Sequence, residues 1–277
     1  MENKTVMYQL VDPSQMMSYV MKTKEGNLIV VDGGYDRNAV DIIAKAKELS
    51  GLDVPVIDAW IQTHCHCDHC DAFSEIVINM PDALDIRHVY HNFLKYEIID
   101  QYENGSTVTH TKFYEALAKL PADRITVVQP GDKFSVGSVD FEVLLVPDET
   151  ITYNVVNESS VVYLMTVEGQ KVIFLGDLGE KSGYRLKEAH PDLKCDFVQM
   201  AHHGSNGVAF EIYTWLSPKA CLWTTPAWLW ENRWPHQQYN EGPFETIRLY
   251  EHMKSLGVEK HYVCKDGVQE IVFPVEF

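Results

Sequence analysis

Seven consecutive residues, from His64 to Cys70, all belong to types that bind metal ions: three histidines, three cysteines and one aspartate. In an extended chain, successive side chains point to opposite sides. His64 and His66 would then share one side, and Cys65 and Cys67 would share the other. One ion can therefore be bound by only one of the two sets.

The histidine set continues into Asp68 and His69, which gives the pattern H-x-H-x-D-H. Four nitrogen and oxygen ligands so close together suit a pair of borderline metals. We expect His64 and His66 to bind one ion, at the first site, and Asp68 and His69 to bind another, at the second site. The predicted cofactors are two divalent metal ions, zinc in the first place and manganese as the alternative.

The cysteine set has weaker support as a metal site. The pattern C-x-C-x-x-C offers three thiols, and no second C-x-x-C completes a closed tetrahedral site. We predict that these cysteines pack behind the loop as small side chains. A structural zinc knuckle is the alternative.

Two later segments could supply the missing ligands. "KVIFLGD" places Asp177 at the end of a predicted buried strand, where its two oxygens could bridge two ions. "DFVQMAHHGSN" ends another predicted strand at His202 and His203. We favour His203 as a ligand of the second ion and His202 as a contact to the substrate or leaving group, and the reverse assignment stays open. The predicted metal ligands are His64, His66, Asp68, His69, Asp177 and His203, and the predicted catalytic residues are Asp68 and His202.

Four segments in this order, "VVDGG", "THCHCDH", "FLGD" and "MAHHGS", resemble the metallo-β-lactamase superfamily over essentially the whole chain. Within that superfamily, "NESSVVYL", "VIFLGD" and "AHHGS" look most like the hydrolase domain of bacterial DNA-uptake channel proteins and like phosphorylcholine esterases. The resemblance implies a four-layer αββα sandwich with the metals at one edge. It also implies that Asp32 of "VDGG" supports the metal loop, and a simple turn residue is the alternative for Asp32.

One departure from the family pattern concerns the first site. Many members carry a further His there, but the matching region "VPDETITYNVVNESS" contains no His. Asp148, Asn154, Asn157 or water could replace it, whereas His110 comes too early in the chain. The first site is therefore predicted to be more open and weaker than the second. The departure also counts against β-lactamase or glyoxalase activity.

The predicted reaction is hydrolysis by a metal-bound hydroxide, since two close divalent ions lower the pKa of a water between them. Asp68 would orient this hydroxide, and the favoured substrate is a phosphodiester or another phosphate ester. A hydrolase of a carboxylic ester, lactone or thioester and a non-catalytic metal-binding module are the alternatives. Four of the six Trp lie within residues 223–234. They could wall a pocket, pack in the core or form a subunit interface.

The elements that must position these residues alternate between strand-like and helix-like segments. Strands group towards the two ends of the chain, and helices follow each group. This order predicts two βα halves packed face to face in a single domain over residues 1–277. The predicted strands are 6–11, 18–23, 28–34, 56–63, 123–128, 140–146, 159–167, 171–177, 196–201, 219–225, 261–264 and 269–273, and the predicted helices begin at Asn38 and cover 92–120, 180–189 and 244–257.

Charge and composition narrow the possible partners. The net charge is -17 and no cluster of Lys and Arg occurs, which argues against stable nucleic-acid binding and against a zinc-ribbon nucleic-acid binder. No run approaches the roughly 18 to 20 apolar residues that span a bilayer, so no membrane partner is predicted. Six cysteines without a secretory signal predict a cytoplasmic location.

Overall fold

The computed structural model describes residues 4–277, which form two seven-stranded sheets packed face to face, with helices on both outer faces. This is the four-layer αββα arrangement predicted from the sequence. A further pair of short strands, β4 (Val56–Ile57) and β6 (Asp85–Ile86), forms a small sheet of its own.

The first sheet combines strands from both ends of the chain. The last three strands in its spatial order run parallel to the fourth strand, β3 (Leu28–Asp32), so the carboxyl ends of these four strands share one edge. The metal loop leaves the sheet at this edge. In spatial order its strands are β16 (Gln269–Phe273), β1 (Thr5–Gln9), β2 (Ser18–Lys22), β3 (Leu28–Asp32), β5 (Ala59–Ile61), β7 (Val89–His91) and β8 (Ile125–Val127).

The second sheet carries the later ligands. Its first four strands are parallel, so the chain leaves β12 and β13 at the same edge. In spatial order its strands are β15 (Lys260–Val263), β14 (Ala220–Trp223), β13 (Phe197–Gln199), β12 (Gln170–Phe174), β11 (Val162–Val167), β10 (Val139–Leu145) and β9 (Lys133–Val136).

Ten α-helices lie within residues 4–277, and none of them is long and apolar enough to cross a membrane. In chain order they are α1 (Ala39–Ser50), α2 (Cys67–Asn79), α3 (Tyr96–Glu103), α4 (Thr107–Leu117), α5 (Val155–Glu158), α6 (Glu180–Ala189), α7 (Ala201–Gly204), α8 (Phe210–Leu216), α9 (Ala227–Trp230) and α10 (Thr246–Ser255). Single 3-10 turns cover Asp36–Asn38, Asn104–Ser106, Ala122–Arg124 and Cys264–Asp266.

Three layers of buried apolar side chains hold the four layers of elements together. One lies between the sheets, and one lies between each sheet and its helices. The period-two alternation of strand side chains divides them: in β3, Ile29 and Val31 enter the layer between the sheets, and Val30 faces the helices. Each sheet is therefore apolar on both faces, and polar chemistry is left to the strand ends.

Several predicted elements agree with the structure, whereas others differ from it or were not predicted, such as β7, β9 and α8. The helix over 180–189 and the strand over 269–273 have the predicted bounds. The predicted strand over 56–63 is wrong as a single element, because Asp58 separates β4 from β5: its Oδ2 accepts a hydrogen bond from the Leu28 N–H at 3.0 Å. Helix α2 was not predicted, and the chain turns helical directly after His66.

Candidate metal centre

The metal loop is extended only as far as His66, at the position before α2. His64 Nε2 and His66 Nδ1 lie 3.1 Å apart, so these rings share one side as predicted. Asp68 and His69 lie in the first turn of α2, where the helical turn brings both side chains back towards the loop. The loop thus uses an extended segment for one pair of side chains and a helix for the other.

The two later strands of the second sheet bring the remaining predicted ligands to the same place. Asp177 lies three residues beyond β12, and His203 lies in α7 after β13. The ligand atoms within each of two groups lie within 4.8 Å of one another, and Asp177 belongs to both groups. The groups are Asp68, His69, Asp177 and His203, which we call the second group, and His64, His66 and Asp177, which we call the first group.

Asp177 lies closer to the histidines of the second group than to His64 of the first. His203 Nε2 lies 3.2 Å from Asp68 Oδ2 and 3.4 Å from Asp177 Oδ2. His69 Nε2 lies 3.2 Å from Asp177 Oδ1 and 3.3 Å from His203 Nε2. In the first group, His64 Nε2 lies 3.8 Å from Asp177 Oδ2. Two imidazole nitrogens and two carboxylates thus converge in the second group, a donor set that suits zinc.

The other ring nitrogen of each histidine in the two groups has a partner of its own. Such partners fix the ring orientation and the tautomer of a metal-binding histidine. The pairs are His64 Nδ1 with Thr63 Oγ1 at 3.1 Å, His66 Nε2 with Glu103 Oε1 at 2.7 Å, His69 Nδ1 with Asp32 Oδ2 at 2.7 Å, and His203 Nδ1 with Thr224 Oγ1 at 3.1 Å.

Asp32 supports the metal loop, as the family resemblance implied. It is fully buried, and its Oδ1 accepts the Thr63 N–H at 2.7 Å. Its Oδ2 contacts both His69 Nδ1 and the Thr63 hydroxyl at 2.7 Å. Asp32 has a positive φ of 55°, a conformation that costs energy in a residue with a side chain. The alternative role as a simple turn residue is therefore wrong.

A left-handed turn places the two adjacent histidines differently. His202 and His203 have φ values of 52° and 56°, and Gly204 follows with φ +77°. A Cβ on Gly204 would lie 2.5 Å from the ring of Trp223, so the turn packs directly on this strand residue. His203 is fully buried, whereas 29% of the His202 side chain is exposed. Two neighbouring residues of the same type thus face the interior and the rim.

In the second group, neighbouring charges shift the pKa values of Asp177 and His203 against the effect of burial. Burial alone would raise the pKa of Asp177, but His203 and His69 hold it well below its usual range. Burial would lower the pKa of His203, but Asp177 and Asp68 raise it to about 9. Burial, together with His69, holds the pKa of His64 well below its usual range. The second group therefore stabilises positive charge.

These observations fit a bound cation. The pKa of His69 is raised well above its usual value by Asp177 and Asp32, although burial opposes this. Two cationic rings would then face each other with His69 Nε2 and His203 Nε2 only 3.3 Å apart. Asp177 Oδ1 lies 3.2 Å from His69 Nε2, but within residues 4–277 it makes no hydrogen bond of suitable geometry. A metal ion in place of the ring protons would relieve the repulsion and give this oxygen a partner.

The cysteines divide between two environments. Cys65 and Cys70 are buried in the apolar layer between the first sheet and its helices, as the packing prediction expected. Cys67 is exposed, so the prediction that it packs behind the loop is wrong. The reason is the start of α2 at Cys67, which ends the strict alternation of the extended segment.

The residues that could replace the missing histidine lie in different surroundings. Asp148 Oδ2 lies 3.2 Å from Arg185 Nε, and its Oδ1 accepts the Thr150 hydroxyl, so Asp148 is outside both groups. Asn157 is buried, and its Oδ1 has no hydrogen-bond partner in the described part of the chain. His110 lies in α4, and its Nε2 donates to the Leu94 carbonyl at 3.0 Å. It belongs to neither group of candidate ligands, in agreement with the sequence analysis.

Besides the contacts of Thr63 and Thr224 with the histidine rings, the sequence analysis did not predict the contacts of Glu103 and Gln15 with the centre. Glu103 contacts His66 at 2.7 Å, and Gln15 Nε2 donates to Asp68 Oδ2 at 3.2 Å. Glu103 lies in the segment 92–120, which was predicted only as polar and helical, and acidic residues are ordinary on such a helix. Its separation of 37 residues from His66 leaves no local spacing that could have revealed the pair.

The four tryptophans within 223–234 divide between the core and the surface. Trp223 is fully buried, and its ring contacts Trp230 edge to face at 5.3 Å. Trp228 and Trp234 stack at 5.4 Å, and Trp234 is 41% exposed. Trp228 also lines a groove of about 560 Å³ together with Asp12. Core packing therefore accounts for half of this cluster, and the other half forms an aromatic surface.

Comparison with known sequences identifies similar proteins. A family model described as "Metallo-beta-lactamase superfamily" matches residues 11–212. ComE operon protein 3 of Bacillus subtilis (strain 168) is 26% identical over 179 residues, which are 63% of this chain and 20% of that protein. The chain thus spans about a fifth of the length of this curated relative.

Comparison with solved structures shows the same fold at low sequence identity. CmlA, a diiron beta-hydroxylase from Streptomyces venezuelae, superposes with a TM-score of 0.61 at 13% identity, over 99% of this chain and 55% of that chain. YhfI, a metallo-beta-lactamase fold protein from Bacillus subtilis, gives 0.57 at 13% identity, over 97% and 100%. A diphosphatase of the PhnP family gives 0.50 at 13% identity, over 97% and 98%.

Proposed function

The chain belongs to the metallo-beta-lactamase superfamily, and on that premise we propose that it is a metal-dependent hydrolase of phosphate esters, phosphodiesters above all. The family and the fold predicted from the sequence are confirmed, and the match to ComE operon protein 3 is consistent with the narrower resemblance. The observation that carries the proposal is the position of Asp177, which two groups of candidate ligands share. A shared carboxylate at this position suits two metal ions close together.

The ligand assignment follows the two groups. His64, His66 and Asp177 would hold one ion, and Asp68, His69, Asp177 and His203 the other. When bound, two divalent ions supply positive charge for a phosphoryl oxygen and lower the pKa of a coordinated water towards neutrality. We propose zinc because the donor atoms are imidazole nitrogens and carboxylate oxygens. Manganese is the alternative, and iron must also be measured because CmlA, which shares the fold, is a diiron enzyme.

Asp68 is the proposed residue for orienting the attacking water. Burial would raise its pKa, but His203 and His69 hold it below its usual range, so Asp68 is an anion at neutral pH. Gln15 Nε2 donates to its Oδ2, and His203 Nε2 lies 3.2 Å from the same oxygen. These contacts hold the carboxylate in one orientation, in which it can accept a hydrogen bond from water.

His202 is the proposed contact to the substrate. Burial lowers its pKa below the usual value, although Asp177 opposes this, so the ring is neutral near pH 7. Its Nε2 lies 3.9 Å from Asp177 Oδ2, and its side chain is partly exposed at the rim. A neutral imidazole there can donate one N–H to a phosphoryl or leaving-group oxygen. His203 cannot take this role in the same way because it is buried.

The substrate class rests on the first group. It contains three candidate ligands where the second contains four, so it leaves more positions for substrate oxygens. A phosphodiester presents two free oxygens on one phosphorus atom, which suits two neighbouring ions. Hydrolysis of a carboxylic ester, lactone or thioester, and metal binding without catalysis, are the outcomes against which the proposal is tested.

Two broader assignments accompany the proposal. We propose that residues 1–277 form a single domain, because one apolar layer joins Met7, Phe174 and Phe273 from distant parts of the chain. We also propose a cytoplasmic location, because all six cysteines are free thiols and would survive in a reducing compartment. An oligomeric partner is not part of the proposal.

The test combines metal content with a substrate panel. Purified protein would be measured for zinc, manganese and iron, and assayed on bis(4-nitrophenyl) phosphate, 4-nitrophenyl phosphate, 4-nitrophenyl acetate, a lactone and a thioester. We expect two ions per chain and turnover of the diester that His202→Ala reduces without loss of metal. Protein with two ions that hydrolyses only the lactone or thioester would overturn the substrate class. Protein with two ions and no turnover of any substrate would favour a metal-binding module.

A further inference from the structure

Glu103 ends α3 and reaches the metal loop from outside all the sequence motifs. Its Oε1 lies 2.7 Å from His66 Nε2 and accepts the Ser106 hydroxyl at 3.1 Å. Its Oε2 accepts the Val156 N–H at 3.2 Å. Both carboxylate oxygens are therefore held in place, and neither is free to rotate away from the ring.

The contact decides which nitrogen of His66 is free. A carboxylate beside Nε2 favours the tautomer that carries its proton there, which leaves the lone pair on Nδ1. His66 Nδ1 is the atom that lies 3.1 Å from His64 Nε2, on the side of the first group. Glu103 therefore lies behind the ring and presents Nδ1 to the ion, so it is not itself a ligand.

The same arrangement occurs once in each group. Asp32 Oδ2 contacts His69 Nδ1 at 2.7 Å and leaves Nε2 to the second group. Glu103 and His66 repeat this pairing for the first group, with side chains that are 26% and 22% exposed. Asp32 is fully buried within the family motif, whereas Glu103 comes from the helical segment that separates β7 from β8.

The Glu103 carboxylate has three donors around it, namely the His66 ring, the Ser106 hydroxyl and the Val156 N–H. A carboxylate that accepts a hydrogen bond from Nε2–H increases the electron density of the ring, and Nδ1 then binds a metal more strongly. The first group needs this support more than the second because it has one candidate ligand fewer.

We propose that Glu103 is a positioning residue for the first metal site, where it fixes the tautomer and orientation of His66 and compensates for the histidine that this chain lacks. The inference rests on the proposed function only in assuming that the first group binds an ion. It adds the link from α3 and α5 to the metal, since the carboxylate is anchored on the Val156 N–H. Loss of Glu103 should therefore weaken the first site and leave the second intact.

The test uses graded substitutions of Glu103. Glu103→Gln keeps an acceptor of similar size without the charge, and Glu103→Ala removes both. Glu97→Gln is the matched control, because Glu97 is an exposed residue on the first turn of the same helix. Zinc affinity of each site would be measured by competition with a chromogenic chelator. We expect the first-site affinity to fall about 10- to 100-fold in Glu103→Ala and less in Glu103→Gln, with no change in the control.

A second measurement is independent of metal binding. Long-range ¹H–¹⁵N NMR spectra of the metal-free protein report which ring nitrogen carries the proton. We expect the His66 proton on Nε2 in the wild type and a mixture of tautomers in Glu103→Ala. A proton on Nδ1 in the wild type, or unchanged first-site affinity in Glu103→Ala, would overturn the proposal. Failure of the wild type to bind zinc, with the expected tautomer present, would instead count against the proposed function.

Discussion

Asp177 is the residue on which the two groups of candidate ligands depend together. Its Oδ2 lies 3.8 Å from His64 Nε2 and 3.4 Å from His203 Nε2, so one oxygen faces both groups. Its anionic form is stabilised by these surroundings, and a neutral amide would leave the cluster with excess positive charge. The carboxylate therefore acts through its charge as much as through its shape.

The first prediction concerns this charge. Asp177→Asn keeps the size of the side chain but removes the negative charge that both groups of candidate ligands share. We expect the variant to lose at least one ion and to lose hydrolytic activity by roughly 100-fold or more. Asp140→Asn, at an exposed position of β10, is the control. Elemental analysis and the phosphodiester assay measure both effects, and an active Asn variant with two ions would remove Asp177 from the mechanism.

The second prediction concerns the difference between the two sites. The first group contains three candidate ligands and the second four, so its ion should be bound more weakly. Mild chelation should empty the first site before the second, and activity should fall with that first loss because the reaction needs both ions. Excess zinc or manganese should restore it. Two ions released together at one chelator concentration would contradict this expectation.

The sequence predicted the candidate ligands that the structure brings together, but of the residues that support them it indicated only Asp32. H-x-H-x-D-H is local, and Asp177 and His203 follow predicted strands, so residue type and position were informative. Glu103 could not be predicted, because its contact with His66 depends on how an intervening helix folds back over the loop. The prediction that Cys67 is buried was wrong for a related reason. Side chains alternate between two sides only in an extended chain, and α2 begins at Cys67.

At the scale of elements, the left-handed turn inside α7, directly after β13, places His202 and His203 at the centre. It passes through three consecutive residues with positive φ, from His202 to Gly204. The Thr225 hydroxyl donates to the His203 carbonyl, and the His202 carbonyl accepts the Ser205 N–H at 2.9 Å. The strain of this turn is therefore balanced by contacts with the strand beside it.

The third prediction tests that turn. Gly204→Ala would add a Cβ 2.5 Å from the Trp223 ring at φ +77°. Gly169→Ala is the matched control, because Gly169 has φ +78° and open space around it. We expect the control to lose about 1 kcal/mol of unfolding free energy from backbone strain. Gly204→Ala should lose about 2 to 4 kcal/mol, since overpacking adds to the strain, and should also lose affinity at the second site. Equal losses in urea unfolding would show that Trp223 does not restrict the turn.

Element types were predicted better than their boundaries. The predicted strand over 56–63 had the right composition for buried β structure, but the Asp58 carboxylate binds the Leu28 N–H and diverts the chain. Helix α2 was not predicted, because its first turn consists of residues that can bind metals rather than of strong helix formers. In both places a tertiary contact or a functional residue overrides local propensity.

At the scale of the whole molecule, a polar pair lies in the apolar layer between the first sheet and its helices. His91 is 1% exposed, and neither ring nitrogen has a hydrogen-bond partner within residues 4–277. The ring lies among Phe93, Phe113 and Tyr114. Gln62, the residue directly after β5, is also fully buried, and its side-chain amide has no partner in the described residues.

The fourth prediction concerns stability against pH. Burial, assisted by His110, lowers the pKa of His91 to about 4 from its usual value of 6.5. The unfolded chain therefore binds this proton more readily, so stability is fully present above about pH 6.5 and is lost as the pH falls towards 4. The loss amounts to about 3 kcal/mol. His91→Leu should remove it and raise stability at pH 7 by roughly 1 kcal/mol, because an unpaired polar group leaves the core. Urea unfolding between pH 4 and pH 7 measures both effects, and an unchanged slope would contradict them.

The pairing of β1 with β16 determines when the first sheet can be completed during synthesis. Thr5 pairs with Phe273, so β1 must wait for a partner strand that is made 268 residues later. At about 5 to 20 residues per second, a ribosome needs roughly 10 to 50 s to deliver the partner. Throughout that time β1 has an unpaired edge, with Met7 among the apolar side chains that later become buried. The nascent chain is therefore most exposed to aggregation and to chaperones until β16 has been made, even though every candidate metal ligand is made earlier.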